Sequence, residues 1–386
     1  MGAWSGVLVA AVAGLGCPSK SSDKAAPPAA PAGMTIGLVT DVGGRGDQSF
    51  NDSALRGLEL WAGGVKASGG GYTPATPDEV RASVPGDLAQ KVQVRALGVT
   101  PLVLQSKHQE DYEPNLQTLV TQGSALTIGT GFMLENAVEA VAKQNPTARF
   151  LLIDSPIMDV QGKPYTLPNV KTVVFREEEG SFLVGVLAGL VTQTQKIGFV
   201  GGMELPLIKK FEAGFRAGVL QVNPKAAADL AVNYTGSFDN VQTGKQVAQD
   251  MILKGVDVVF HAAGSSGLGA IHAVKEARDA GKVVYAIGVD SDQFHLAPHA
   301  VLTSMVKRVD LAVYDVLREL AQNQFQAGDT VLGLKEGGVG YAEVRLDFPG
   351  KAEALAKVEA IRQKIVSGEL KVPSNLADLA TFKAVP

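Results

Sequence analysis

Apolar and polar positions along this chain fall into two interleaved periods. From Thr35 onward, short β-rich apolar runs occur at 36–40, 101–105, 125–129, 149–154 and 171–175. They resume at 196–201, 229–236, 257–263, 282–290 and 301–306. Most are separated by segments whose apolar residues recur at helical spacing: 115–122, 134–144, 179–192, 208–222, 241–254 and 268–280. The segment after residue 50 reads the same way, with Ala54, Leu55, Leu58, Trp61, Ala62 and Val65 on one face. Strands alternating with helices predict a parallel α/β architecture with right-handed crossovers. There are too many strands for one small sheet, so two doubly wound lobes are expected. Residues 66–99 break the pattern with Gly, Pro and Ser around one candidate strand, 92–96, and read as a surface insertion in the first lobe. Near the end, 352–366 predicts one more amphipathic helix.

The stretch before Thr35 has a different character. Residues 4–16 form an apolar run of leader length, too short for a stable membrane-spanning helix, and end in small residues before Cys17. This pattern looks like a bacterial lipoprotein signal over 1–17, with Cys17 as the lipidated residue. It departs from that pattern in having no Lys or Arg ahead of the run and in the imperfect Gly14-Leu15-Gly16. Residues 18–33, rich in Pro, Ala and Ser, cannot build a core and predict a flexible tether. The expected location is the cell envelope, with a folded body held at a membrane surface by lipid.

Bulk numbers narrow the function only modestly. The chain has 386 residues, 46% apolar and 19% charged, with a formal charge of −4. That balance offers no basic patch for nucleic acid. A single cysteine excludes an internal disulfide framework.

The most chemical stretch is IGLVTDVGGRGDQSFND at 36–52. A strand ends in Asp41, a glycine-bearing loop follows, and Ser49-Phe50-Asn51 opens a helix. Ser49 and Asp52 have capping-box spacing. A carboxylate, a phenyl ring and an amide thus meet at one junction, which suits a flat ligand bearing hydroxyl groups. A polar turn with Phe50 as a hydrophobic staple fits the same residues. The strands end in Asp41, Gly129, Asp154, Gly236, Gly264 and Asp290. Ligands of open parallel sheets bind at carboxyl ends of strands, so these residues outline a cleft. Gly264 also opens a glycine-rich turn, where backbone N–H groups can approach a ligand.

Enzyme signatures are missing from the sequence. Residues 264–269 have the order GxxGxG, not the dinucleotide fingerprint, and no GxxxxGK[ST] loop occurs. GSSGLG is not a nucleophile elbow, and none of the five histidines lies in an HExxH pattern. No catalytic group, cofactor or metal is expected.

The motif at 40–52 is similar to the signature of the basic membrane protein family, lipoprotein substrate-binding components that include the purine nucleoside receptor. The likeness continues through 111–120, 129–154, 177–191, 196–218, 234–240, 262–269, 288–293, 301–310 and 366–373. It implies a type I periplasmic-binding-protein fold, two Rossmann-like lobes joined by a multi-strand hinge. On that fold the first lobe is expected over 34–157 and 290–327, and the second over 158–289 and 328–386. The resemblance further implies a purine nucleoside held between the lobes, stacked between Phe50 and Phe238. Asp41, Asn51, Asp290 and Lys307 would serve ribose and base edge, with Asn136 standing where the family often has Asp. From the residues alone, Phe238 could equally plug a loop, Lys307 cap a helix start and Asp290 cap a helix. Phe211 reads as packing. The implied partner is an ABC permease and the expected state a monomer. A ligand sensor or surface interaction lipoprotein of the same fold is the alternative.

Overall fold

A computed structural model describes residues 1–2, 34–69 and 71–384. Cys17, the tether and almost all of the expected leader lie outside the described residues. The alternating pattern resolves into two six-stranded sheets. The first runs Leu102–Gln105, Ile36–Thr40, Leu126–Thr130, Phe150–Ile153, Val170–Phe175, Gly328–Leu332, with every pairing parallel. The second runs Ala231–Tyr234, Ile197–Gly201, Val258–Ala262, Tyr285–Asp290, Val301–Lys307, Val339–Tyr341. Its last pairing is antiparallel and the others parallel. Numbered along the chain within each sheet, both have the order 2-1-3-4-5-6. That order reverses beside each sheet's first strand, which creates a crevice at the strands' carboxyl ends.

The division between lobes differs from the expected one. Val170–Phe175 belongs to the first sheet, Val301–Lys307 to the second, and Gly328–Leu332 to the first again. Hydrophobic periodicity marks a segment as a buried strand but carries no information about which sheet takes it up. The chain therefore crosses between lobes after Phe175, after Lys307 and after Leu332. The helix Glu177–Val191 packs on Pro206–Val222 in the second lobe, and Val309–Ala321 packs on Phe50–Ala62 in the first.

The insertion forms a hairpin, Val65–Ser68 with Gly71–Pro74, and two short helices, Pro77–Ala82 and Gly86–Ala89. Residues 92–96 are not a strand. Val92 and Val94 are buried, as their alternation demanded, but both backbone groups of Gln93 bond the Tyr314 hydroxyl, at 3.0 and 2.9 Å. A side chain thus replaces the neighbouring strand. No helix among the described residues is long and apolar enough to cross a membrane.

The second lobe is built on unusually close helix contact. A methyl group at Gly185 would lie 2.3 Å from the Phe215 carbonyl oxygen, and one at Gly218 would lie 2.1 Å from that of Phe182. Backbone cannot move aside as a flexible side chain can. Gly218→Ala should therefore destabilise the protein by about 1–3 kcal/mol, the usual cost of overpacking. The midpoint of urea unfolding would fall, with an unchanged slope.

Candidate functional site

The Asp41–Asn51 junction is ordered by acids. The Asp47 carboxylate accepts backbone N–H groups of Ser49, Asn51 and Asp52 at 3.0, 2.7 and 3.1 Å. Asp52 in turn accepts those of Gly46 and Gln48 at 2.9 and 3.0 Å. The Ser49–Asp52 capping box does not form, because Asp47 takes its place at the helix start. Ser49 instead donates its hydroxyl to Asp290 Oδ2 of the second lobe at 2.5 Å. Asn51 Nδ2 donates to Asp41 Oδ1 at 2.7 Å and to Asp47 Oδ2 at 3.0 Å, and its Oδ1 accepts the Asp41 N–H at 3.2 Å. Both amide donors of Asn51 are thereby committed. It orients Asp41 and presents little capacity of its own to a ligand.

Two further acids come from equivalent places in the two lobes. Asp154 follows the fourth strand of the first sheet, and Asp290 ends the fourth strand of the second. Both adopt left-handed backbone, with φ of 76° and 62°. Such geometry is uncommon for residues other than glycine and is tolerated best by Asp and Asn. It turns both carboxylates out of their strand ends toward the interlobe gap. Between them reaches Lys307, at the end of the second sheet's fifth strand. Its ammonium bonds Asp154 Oδ2 at 2.6 Å and lies 3.6 Å from Glu177 Oε1. It also sits 4.8 Å from the centre of the Phe50 ring and 5.4 Å from those of Phe175 and Phe211. Burial alone would push the Lys307 pKa down, but Asp154, Glu177 and Asp290 outweigh it and hold it above its ordinary value. Burial pushes Asp41 up to about 6 against the pull of its bonds to Asn51 and Gly43, and it raises Asp290 as well. Among the described residues, Asp154 Oδ1 is buried without a hydrogen-bond partner.

These groups surround a narrow interlobe cavity of about 50 Å³. Asp41, Phe50, Asn51, Phe238, Gly264, Asp290 and Lys307 all line it. Phe238 comes from the second lobe. Its ring rests on Gly202, where a methyl group would lie 2.3 Å from the ring edge. Gly264 has φ of 54° and opens the helix Gly264–Asp279 against the Phe238 backbone. Asn136 is not brought to the cavity. It is exposed on the first turn of the helix Glu135–Gln144.

The lining also includes residues outside the expected site set, Phe132, Asp154 and Phe211 among them. Phe132 faces Phe238 across the gap, edge-on at 6.2 Å between ring centres and 73° between planes. It lies in the single 3-10 turn Phe132–Leu134, too short to carry any periodicity. Asp154 was legible as a strand end, and only its pairing with Lys307 gives it a role. Phe211 packs as expected, being 2% exposed, yet it also lines the cavity.

The chemistry on offer is specific. Rings from both lobes face the gap, and beside them stand carboxylates that can only accept hydrogen bonds while ionised. The Lys307 ammonium on the cavity wall is already engaged by carboxylates. A flat guest with several hydroxyl or N–H donors fits these walls, and an added phosphate would meet a net negative field.

Fold and site together define a two-lobed solute-binding protein. Residues 35–376 match the family model described as ABC transporter substrate-binding protein, PnrA-like. The chain belongs to this Bmp family. It is 36% identical over 384 residues to a CD4+ T-cell-stimulating antigen of Listeria innocua, covering 96% of this chain and 95% of that one. It is 32% identical over 356 residues to the ABC transporter nucleoside-binding protein BmpA of Lactococcus lactis subsp. cremoris, covering 88% and 89%. Among solved structures, an ABC transporter solute-binding protein of Aeropyrum pernix K1 superposes with a TM-score of 0.72 at 27% identity, covering 90% of this chain and 96% of that one.

Removing the ammonium would strand two buried acids. Lys307→Met should cost about 3–5 kcal/mol, as expected when one partner of a buried ion pair is lost. Adding Asp154→Asn should restore part of that loss. Both are read by chemical denaturation without ligand.

Proposed function

We propose that the protein binds a purine nucleoside between its lobes and delivers it to an ABC permease, tethered to the membrane through a lipid on Cys17 and acting as a monomer. The observation that carries this reading is the cavity wall itself: one phenyl ring from each lobe, Phe50 and Phe238, with Asp41, Asp154 and Asp290 beside them. In this reading the base lies between the rings. Ribose hydroxyls donate to the carboxylates of Asp41 and Asp290, and Asp154 Oδ1 supplies a further acceptor. Lys307 holds the acids in place and offers its remaining N–H capacity to the guest. The nucleoside-binding relative from Lactococcus supports the same ligand class. Bound between the lobes, the guest touches both and so shifts the population toward the closed form, which is the form the permease would receive.

Two expectations follow for calorimetry on protein lacking residues 1–33. Stacking contributes roughly 1–3 kcal/mol per base. Phe50→Ala and Phe238→Ala should each weaken adenosine or guanosine binding at least about tenfold, with unfolding temperature little changed. Unaltered affinity in both variants would rule out the sandwich, and tight binding of AMP would contradict the acidic lining.

The second expectation concerns pH. Asp41 titrates at about 6 in the free protein, and donors from a sugar favour its ionised form. Binding therefore expels a proton below that pH. Affinity should rise between pH 5 and 7 and level off above, and Asp41→Asn should bind weakly with that part of the rise abolished.

A further inference from the structure

The turn after Asp290 holds a glutamine that the nucleoside reading does not use. Gln293 is fully buried. Its backbone N–H donates to Ser304 Oγ at 3.0 Å. Its side-chain oxygen accepts the Val289 N–H at 3.0 Å and lies 3.0 Å from His261 Nε2. Its side-chain nitrogen donates to the backbone carbonyl of Gln48 at 3.1 Å. The first three partners belong to the second lobe, and Gln48 belongs to the first.

The orientation of this amide is fixed by its neighbours. Val289 N–H can only donate and the Gln48 carbonyl can only accept, so oxygen and nitrogen cannot be exchanged. It follows that His261 carries its proton on Nε2. Burial holds the His261 pKa down to about 4, so the ring is neutral. Among the described residues its Nδ1 has no partner, and it sits where a methyl group on Gly267 would lie 1.9 Å away. Gly288 clears the other side, since a methyl group there would lie 2.6 Å from Gln293 Oε1. Two glycines and a histidine thus make room for one amide and hold it. Further bonds join the same turn to the first lobe. Ser291 Oγ donates to the Ser49 carbonyl at 3.3 Å, and Arg56 donates to Ser291 Oγ at 3.0 Å.

We propose that Gln293 is a positioning residue that latches the lobes: two bonds to its side-chain oxygen and one from its backbone N–H fix it within the second lobe so that its side-chain nitrogen meets the Gln48 carbonyl only when the cleft is closed. Gln48 is one residue before Ser49, which bonds Asp290, and two before Phe50. The latch therefore sets how Phe50 and Asp290 face each other across the gap. This role rests on the nucleoside reading only for its consequence on binding; the closure it controls needs no ligand.

The isosteric variant Gln293→Glu isolates the cross-lobe bond. An ionised glutamate still accepts from Val289 and His261, but it cannot donate to Gln48 and sets two oxygens against each other. The experiment is an interlobe distance distribution, from small-angle scattering and a fluorophore pair, on ligand-free parent and variant at pH 8. Loss of a buried hydrogen bond predicts at least about a fivefold fall in the closed-to-open ratio. Hydrogen exchange at the Val289 amide should stay slow, which shows the turn intact. If that protection is lost, Ser291→Ala decides the matter, with a smaller shift toward open. Equal distributions in parent and whichever variant keeps the Val289 amide protected would overturn the latch. Adenosine dissociation should quicken in step with opening, and lowering the pH until the introduced carboxylate protonates should slow it again. A parent that binds no nucleoside would remove the proposed ligand and leave the distance measurement standing.

Discussion

The site depends on one buried ammonium. Lys307 ends a strand at a crossing between lobes, and its charge has no access to water. Acids from both lobes surround it, Asp154 from the first and Glu177 and Asp290 from the second, with aromatic faces around the remainder. Each acid would be costly to bury alone, and so would the lysine. Together they fix a point about which the cavity walls are arranged. Asp154 keeps one oxygen free because the other is held by Lys307. The centre of the Phe50 ring lies 4.8 Å from the same ammonium. A weaker cation would leave surplus negative charge in the gap, and a missing one would favour protonated acids that no longer only accept.

The two lobes solve the same problem with the same topology. Both sheets share one strand order, and in each the fourth strand runs out into an aspartate with left-handed backbone. The strain of holding two such residues is concentrated where the ligand-facing groups must leave the sheet. Glycines do related work nearby. Gly202 and Gly131 remove side chains that would collide with Phe238 and crowd Phe50. The walls are therefore shaped as much by side chains left out as by those put in.

Much of this was legible in the chain. The strands and helices could be read from periodicity because most are long and strongly patterned. Asp41, Phe50, Phe238, Gly264, Asp290 and Lys307, each readable from the sequence as a site candidate, line the cavity. What could not be read has physical causes. Sheet membership depends on long-range pairing that local pattern does not encode, so the pattern places strands near the crossings in the other lobe. Asn136 occupies a helix first turn whose orientation no spacing reveals, and it faces solvent. Phe132 sits in a turn without period. Asn51 was legible as part of the site, but only the structure shows both of its amide donors committed to Asp41 and Asp47.

The sixth strand of the first sheet has a consequence for how the molecule is made. Among the described residues Gly328–Leu332 pairs only with Val170–Phe175, across the longest sequence separation of any strand pairing. A nascent chain leaving the ribosome must therefore carry a bare parallel edge on its first lobe until nearly all of the sequence has emerged. Exposed edges of this kind invite pairing with other chains, and non-local closure is slow. Neither lobe can be excised as a continuous fragment, and a truncation before Gly328 would leave the first sheet with five strands and a sticky edge at Val170–Phe175.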